Sequence, residues 1–184
     1  MEKPHETLIK IPVLQSSRLI LKPLSKKFIT QEYVNWMNDE EVIRFMNSGG
    51  DYTFKKLNDY IEKVEKNPIY FWAITTKNEK RHIGNIKIDP IDKVNRFGEY
   101  GIMIGNKNFQ GKGFASEASR LVIEYCFKNL QLRKVNLGVL AKNKLAINLY
   151  KALGFSIEGI FRKHLFHKGK FEDLFRMSTF NNFI

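Results

Sequence analysis

The stretch from Gly105 to Ala118 reads Gly-Asn-Lys-Asn-Phe-Gln-Gly-Lys-Gly-Phe-Ala-Ser-Glu-Ala, and these residue types suit the capture of an anion. An apolar run ending at Ile104 feeds the stretch, and an amphipathic helical pattern leaves it. The first N–H groups of a helix have no partner within it, and they sit at the positive end of its dipole. Gly111 and Gly113 let the backbone turn so that such amides converge with no Cβ in the way, and Lys112 adds charge beside them. Two other phosphate loops are excluded by spacing. A Walker loop starting at Gly105 would need glycine where Gln110 stands, and Lys112 is followed by Gly113 rather than Ser or Thr. A dinucleotide fingerprint starting at Gly111 would need Gly or Ala where Ser116 stands. Taken alone, the Gly111-Lys112-Gly113 segment reads as a glycine-rich turn that merely starts a helix, and its surroundings change the balance.

A second block follows, from Asn143 through Leu149-Tyr150 to Leu153-Gly154-Phe155. Tyr150 offers a phenol, an acid that stays protonated at neutral pH. It reads equally as a core aromatic on a short helix, and the two roles are compatible because only its hydroxyl need reach a reacting atom. Glu99, near the start of a strand, is a candidate base, with a solvated strand-end charge as the alternative. Asp173 reads as an edge-strand charge. His164 and His167 have no Cys or carboxylate in ligand spacing, so no metal site is expected. His82 reads as an ordinary strand residue, and Cys126 as a packed thiol within a helix.

Together the two blocks resemble the GNAT superfamily of N-acetyltransferases. Gln110 to Ala115 is similar to its acyl-CoA loop, Gln/Arg-x-x-Gly-x-Gly/Ala, and Asn143 to Phe155 is similar to its Asn…Leu-Tyr…Leu-Gly-Phe segment. The opening Arg18-Leu-Ile-Leu-Lys-Pro-Leu and the tail Ile157–Asp173 resemble the branch that acetylates ribosomal-protein N-termini, spermidine and amino sugars. The resemblance is close over residues 98–160 and loose over 25–70. It implies an α+β GNAT fold: a mixed, mostly antiparallel sheet with a V-shaped splay, flanked by helices. It implies acetyl-CoA as co-substrate, with pantetheine pairing to backbone near Met103 and Ile104. The pyrophosphate would take Gln110, Gly111, Lys112, Gly113, Phe114 and Ala115, and Asn143 would hydrogen-bond the pantetheine arm. Tyr150 would protonate the leaving thiolate, and Glu99 would take the amine proton. The glutamate that serves as base in one branch has Gly138 in its place here.

The elements that must position these residues follow from periodicity. Arg18–Leu24 reads as a strand, and Lys26–Phe45 as helix in two pieces. Ser48-Gly49-Gly50-Asp51 breaks the pattern, and Thr53 can cap a helix reaching about Glu65. Strands follow over Tyr70–Thr76, His82–Ile88 and Gly98–Ile104. Helix is predicted from Ala115 to Asn129, strand from Lys134 to Leu140, and a short helix from Asn143 to Leu153 that Gly154 can close. Phe155–Phe161 and Phe171–Phe180 read as a closing pair of strands. No repeat or linker appears, so residues 1–184 read as a single domain.

The chain has 184 residues, 43% hydrophobic and 27% charged, as expected of a soluble globular protein. No apolar run is long enough to span a membrane, Met1–Lys10 lacks a signal-peptide stretch, and the single Cys126 cannot form an internal disulfide. A cytoplasmic protein, monomeric or homodimeric, is expected. The net charge of +12 invites a nucleic-acid-binding module as the rival class, but the lysines are spread along the chain rather than gathered in an arm. Part of the excess would serve the phosphates of CoA.

The acceptor is expected to be a primary amine. Lys55, Lys56, Lys63, Lys66, Arg81 and Lys87 suggest a basic acceptor side. Trp36, Phe45, Tyr70, Phe71 and Trp72 suggest stacking, and Arg162, Lys163 and His164 suggest a basic tail. These point to a small anionic amine such as a nucleotide-linked amino sugar, ahead of the N-terminus of a (ribosomal) protein. Each set also has a plain reading, as solvated lysines or core aromatics. Polyamines fit least, because a polycation needs a carboxylate-lined pocket and residues 44–82 hold more Lys and Arg than Asp and Glu.

Overall fold

The computed structural model describes residues 10–46, 49–67 and 69–181. The expectations for Met1–Ile9 and for Ser48 lie outside these residues. Eight strands form one sheet: β1 (Leu14–Gln15), β2 (Leu19–Pro23), β3 (Tyr70–Thr76), β4 (His82–Asp92), β5 (Phe97–Ile104), β6 (Lys134–Leu140), β7 (Ser156–His167) and β8 (Lys170–Phe180). Their order across the sheet is β1-β2-β3-β4-β5-β6-β8-β7. Every neighbouring pair is antiparallel except β5 and β6, which run parallel. A parallel neighbour requires a crossover, and α3 (Phe114–Lys128) supplies it. The other α-helices among the described residues are α1 (Gln31–Trp36), α2 (Phe54–Lys66) and α4 (Lys144–Ala152).

Alternation along the central strands builds two cores. On β3, Trp72 and Ile74 join the cluster beneath α3, whereas Phe71 and Ala73 join a second cluster beneath α1 and α2. Successive side chains of a strand point to opposite faces, so a strand covered on both sides reads as a continuous apolar run. Fully burying each large aliphatic or aromatic side chain contributes about 1.5–3 kcal/mol. Trp72 is fully buried and its indole N–H donates to the Pro12 carbonyl at 2.7 Å, tying down the chain before β1.

The helix ends obey local chemistry. Thr30 and Thr53 accept from Tyr33 N and Lys56 N to cap α1 and α2, and Asn143 accepts from Ala146 N to cap α4. The expected second helical piece before Phe45 is absent. Asp39 Oδ1 accepts from the amides of Glu41 and Val42, so this carboxylate satisfies the backbone in a turn where a helix would use carbonyls. The closing hairpin is longer than expected, because β7 and β8 run to a two-residue connection at Lys168-Gly169.

Candidate active site

The parallel pairing of β5 and β6 is short. It joins Phe97, Gly98 and Glu99 to Lys134, Val135 and Asn136, and stops there. Beyond those residues each strand has no ladder partner on the side facing the other, and they diverge into a V. The opening holds a cleft of about 770 Å³. Tyr100 to Ile104 line one wall, and Gly138, Val139 and Leu140 line the other. Unpaired backbone N–H and C=O groups therefore face a cavity, which suits an extended ligand carrying amides of its own.

At one end of the cleft lies the loop singled out by sequence. Gly111, Gly113, Phe114 and Ala115 all line it. Gly111 and Gly113 sit at φ +70° and +80°, the left-handed region that side-chain-bearing residues avoid. Gly113 caps α3 with no side chain accepting from the helix amides, which leaves the first turn open to an anion. Gln110 also lines the cleft, and its amide donates to the Ile104 carbonyl at 2.8 Å, folding the loop back on the end of β5. Lys112 is exposed and is not among the residues lining the cleft. Its charge stands beside the loop.

Tyr150 on α4 lines the same cleft as the loop and the splayed strands. Its ring packs edge-on against Tyr100 at 5.9 Å and at a tilt against Phe155 at 5.8 Å. Burial pushes its phenol up to about 12. Among the described residues, no protein group is hydrogen-bonded to its hydroxyl, whereas the Tyr100 hydroxyl is engaged with Ser119 at 2.6 Å. Of the two cleft tyrosines, Tyr150 is the one whose hydroxyl has no protein partner among the described residues. Asn143 lines the cleft two turns earlier, its side-chain oxygen occupied in capping α4.

Glu99 sits elsewhere. It lies at the apex of the V and is not among the residues lining the cleft. Arg176 of β8 grips its two oxygens at 2.8 and 2.7 Å, and Asn136 donates to it at 2.6 Å. The carboxylate thus joins β5, β6 and β8 where the splay begins. His164 and Leu165 of β7 also line the cleft, as do Val42, Phe45 and Met46. Those two segments are far apart in sequence and meet through His167, whose Nε2 is 2.6 Å from the Arg44 carbonyl oxygen.

Several residues invoked for an anionic acceptor lie away from the cleft. Lys55, Lys56, Lys66, Arg81 and Lys87 are paired with Asp59, Asp51, Glu62, Glu32 and Asp89, and none of them lines it. Trp36, Phe71 and Trp72 are core residues, and Tyr70 packs on Trp72 and Tyr125. Phe45 alone of that aromatic set reaches the cleft. Spacing had no means of separating the inward from the outward members. Sequence reading also missed Val42, Met46 and Leu165, because their role depends on contacts made across the whole fold.

A family model described as an acetyltransferase (GNAT) domain matches residues 18–156. The chain belongs to the GNAT family. It is an acyl-CoA-dependent N-acetyltransferase, and acetyl-CoA is the family's acyl donor. The spermidine N(1)-acetyltransferase of Escherichia coli is 30% identical over 164 residues, covering 88% of this chain and 86% of the relative. A crystal structure of spermidine N-acetyltransferase from Vibrio cholerae in complex with CoA and spermine superposes with TM-score 0.82 at 26% identity, covering 90% of this chain and 97% of that one. The ribosomal-protein-S5-alanine acetyltransferase of Vibrio fischeri shares the fold, with TM-score 0.77 at 20% identity over 93% of this chain and 97% of that one. The GNAT sheet of this chain is therefore an eight-stranded, mostly antiparallel open sheet with the splay in its middle. Among the described residues no helix is long and apolar enough to cross a membrane.

Proposed function

We propose that this GNAT domain binds acetyl-CoA along the β5–β6 opening and passes the acetyl group to a primary amine arriving from the Phe45 and His164 end. The observation that carries this is the divergence of β5 from β6 between an uncapped helix start and a buried, protonated tyrosine. The diphosphate sits on the amides of Gly111 to Ala115, and the pantetheine arm pairs with the free edge near Met103 and Ile104. Asn143 donates its side-chain amide to that arm. The amine nitrogen attacks the thioester carbonyl, forming the C–N bond. As the tetrahedral intermediate collapses and the C–S bond breaks, Tyr150 gives its proton to the sulfur. The amine proton leaves towards the open end, where His164 is the side chain lining the cleft that can accept it. Glu99 was the candidate for that task, but both its oxygens are held at the apex, and we assign it to fixing the splay.

The acceptor we propose is a small amine bearing negative charge at a distance, most simply a nucleotide-linked amino sugar. Among the described residues, no Asp or Glu lines the cleft, so the extra ammonium groups of a polyamine would meet no counter-charge there. The similarity to spermidine acetyltransferases points the other way, and the lining chemistry outweighs it. Arg162 and Lys163, exposed just before His164, offer cations at the rim, and Phe45 offers a ring face. The test is a thiol-release assay that compares kcat/KM for a nucleotide-linked amino sugar, spermidine and an alanine-starting peptide. Thermal melts with acetyl-CoA accompany it. A ligand at a hundred times its Kd stabilises the fold by about 2.7 kcal/mol. A shift with acetyl-CoA together with spermidine or the peptide as best substrate would refute the acceptor class and leave the acetyltransferase reading intact.

A further inference from the structure

The first turn of α3 holds a negative charge where an anion has to bind. Glu117 lies four residues after Gly113, and its carboxylate competes for the positive helix end that the diphosphate needs. The structure turns it away. Glu117 Oε1 accepts from Ser16 Oγ at 2.6 Å, Ser17 Oγ at 3.1 Å and Arg18 N at 2.9 Å, and Oε2 accepts from Arg18 Nε at 2.6 Å. Burial opposes ionisation, but these hydrogen bonds outweigh it and hold the carboxyl at about 2. Its negative charge is therefore permanent at working pH.

Arg18 does more than pair with it. Its Nη1 donates to the Lys112 carbonyl at 3.1 Å, and its guanidinium lies 4.4 Å from the centre of the Phe114 ring. The side chain thus grips the residues on either side of Gly113, the left-handed turn that aims the first amides of α3 at the cleft. It is about half exposed, so it stands at the edge of the loop rather than in the core.

We propose that Arg18 is a positioning residue for the diphosphate of CoA: it neutralises Glu117 and fastens the Lys112–Phe114 turn, so that the α3 amides stay open for an outside anion. This rests on the acetyl-CoA reading above. Without Arg18, a carboxylate lacking its counter-charge stands beside the phosphates and the turn loses its grip.

Calorimetric titration of the full chain with CoA and with 3′-dephospho-CoA tests it. Losing a hydrogen-bonded charge is expected to raise Kd roughly tenfold or more in Arg18→Met. The increase is the same for both ligands, because the diphosphate is what they share. Adding Glu117→Gln to Arg18→Met recovers most of the loss, since the charge that Arg18 balanced is gone. Arg18→Lys, which keeps the charge without the planar fork, falls between wild type and Arg18→Met, and it carries the test should Arg18→Met fail to fold. The proposal is overturned if Arg18→Met binds within twofold of wild type. It is also overturned if the double variant binds no tighter than Arg18→Met, because a purely structural tie would only be damaged further by the second change. A wild-type chain that binds neither ligand would instead remove the acetyl-CoA reading itself.

Discussion

Replacing Tyr150 by phenylalanine removes one proton from the cleft and leaves nearly everything else in place. The ring keeps its contacts with Tyr100 and Phe155 at 5.9 and 5.8 Å. Among the described residues the hydroxyl has no protein partner, so no hydrogen bond is orphaned and the melting temperature should hardly move. With the phenol raised to about 12, fewer than roughly one molecule in ten thousand is ionised at pH 7, so the acid is fully loaded throughout the neutral range. General acid catalysis contributes about 10²–10⁴ in rate. The leaving group here is a thiol, whose pKa of about 8.5 lets it depart as thiolate with only modest help. The low end applies, and kcat should fall roughly a hundredfold. The Kd for acetyl-CoA should stay within about twofold, because an interaction made only in the transition state affects kcat rather than ground-state binding. Thiol release under saturating amine gives kcat, and titration of the protein with acetyl-CoA gives Kd. A variant that binds acetyl-CoA normally and turns over within twofold of wild type would show that water protonates the sulfur, and Tyr150 would return to being a core aromatic.

Glu99→Gln should leave kcat/KM within a few-fold of wild type while lowering stability by about 1–2 kcal/mol, as expected for a half-buried pair with Arg176; His164→Ala should lower kcat/KM by an order of magnitude or more, about 10²-fold for a lost general base, and the opposite pattern would restore Glu99 as the base. His82 packs partly buried against Phe28, Tyr33 and Trp36, and its desolvation there lowers its pKa while its bonds to Gly84 and Asn85 oppose the shift only in part. A base depressed in the fold binds its proton more readily when unfolded. Stability is therefore full above the unfolded value of about 6.5 and falls as pH drops from there through the lower folded value. Melting temperatures from pH 7 to 5 should fall more steeply in wild type than in His82→Phe, and equal slopes would show that His82 does not titrate differently in the fold.

The family, the fold class and the glycine turn before α3 were legible in the sequence because each rests on local chemistry. Gly111 and Gly113 occupy left-handed turns that few other residues tolerate, and Thr53 and Asn143 cap the helices that follow them. The strands over Tyr70–Thr76 and Lys134–Leu140 showed as apolar runs because both their faces are covered. What needed the tertiary structure was every question of which side a charge or ring faces. Glu99 read as a free strand-end carboxylate until Arg176, 77 residues away, closed on it. Lys55, Lys56 and Lys66 of α2 read as part of an acceptor surface, but each is paired with a nearby carboxylate. Arg18 and Glu117 lie 99 residues apart, and neither carries a local signal that it serves the loop. Periodicity and capping act over one or two turns of chain, whereas ion pairs and cleft walls are made between segments that meet only when the sheet assembles.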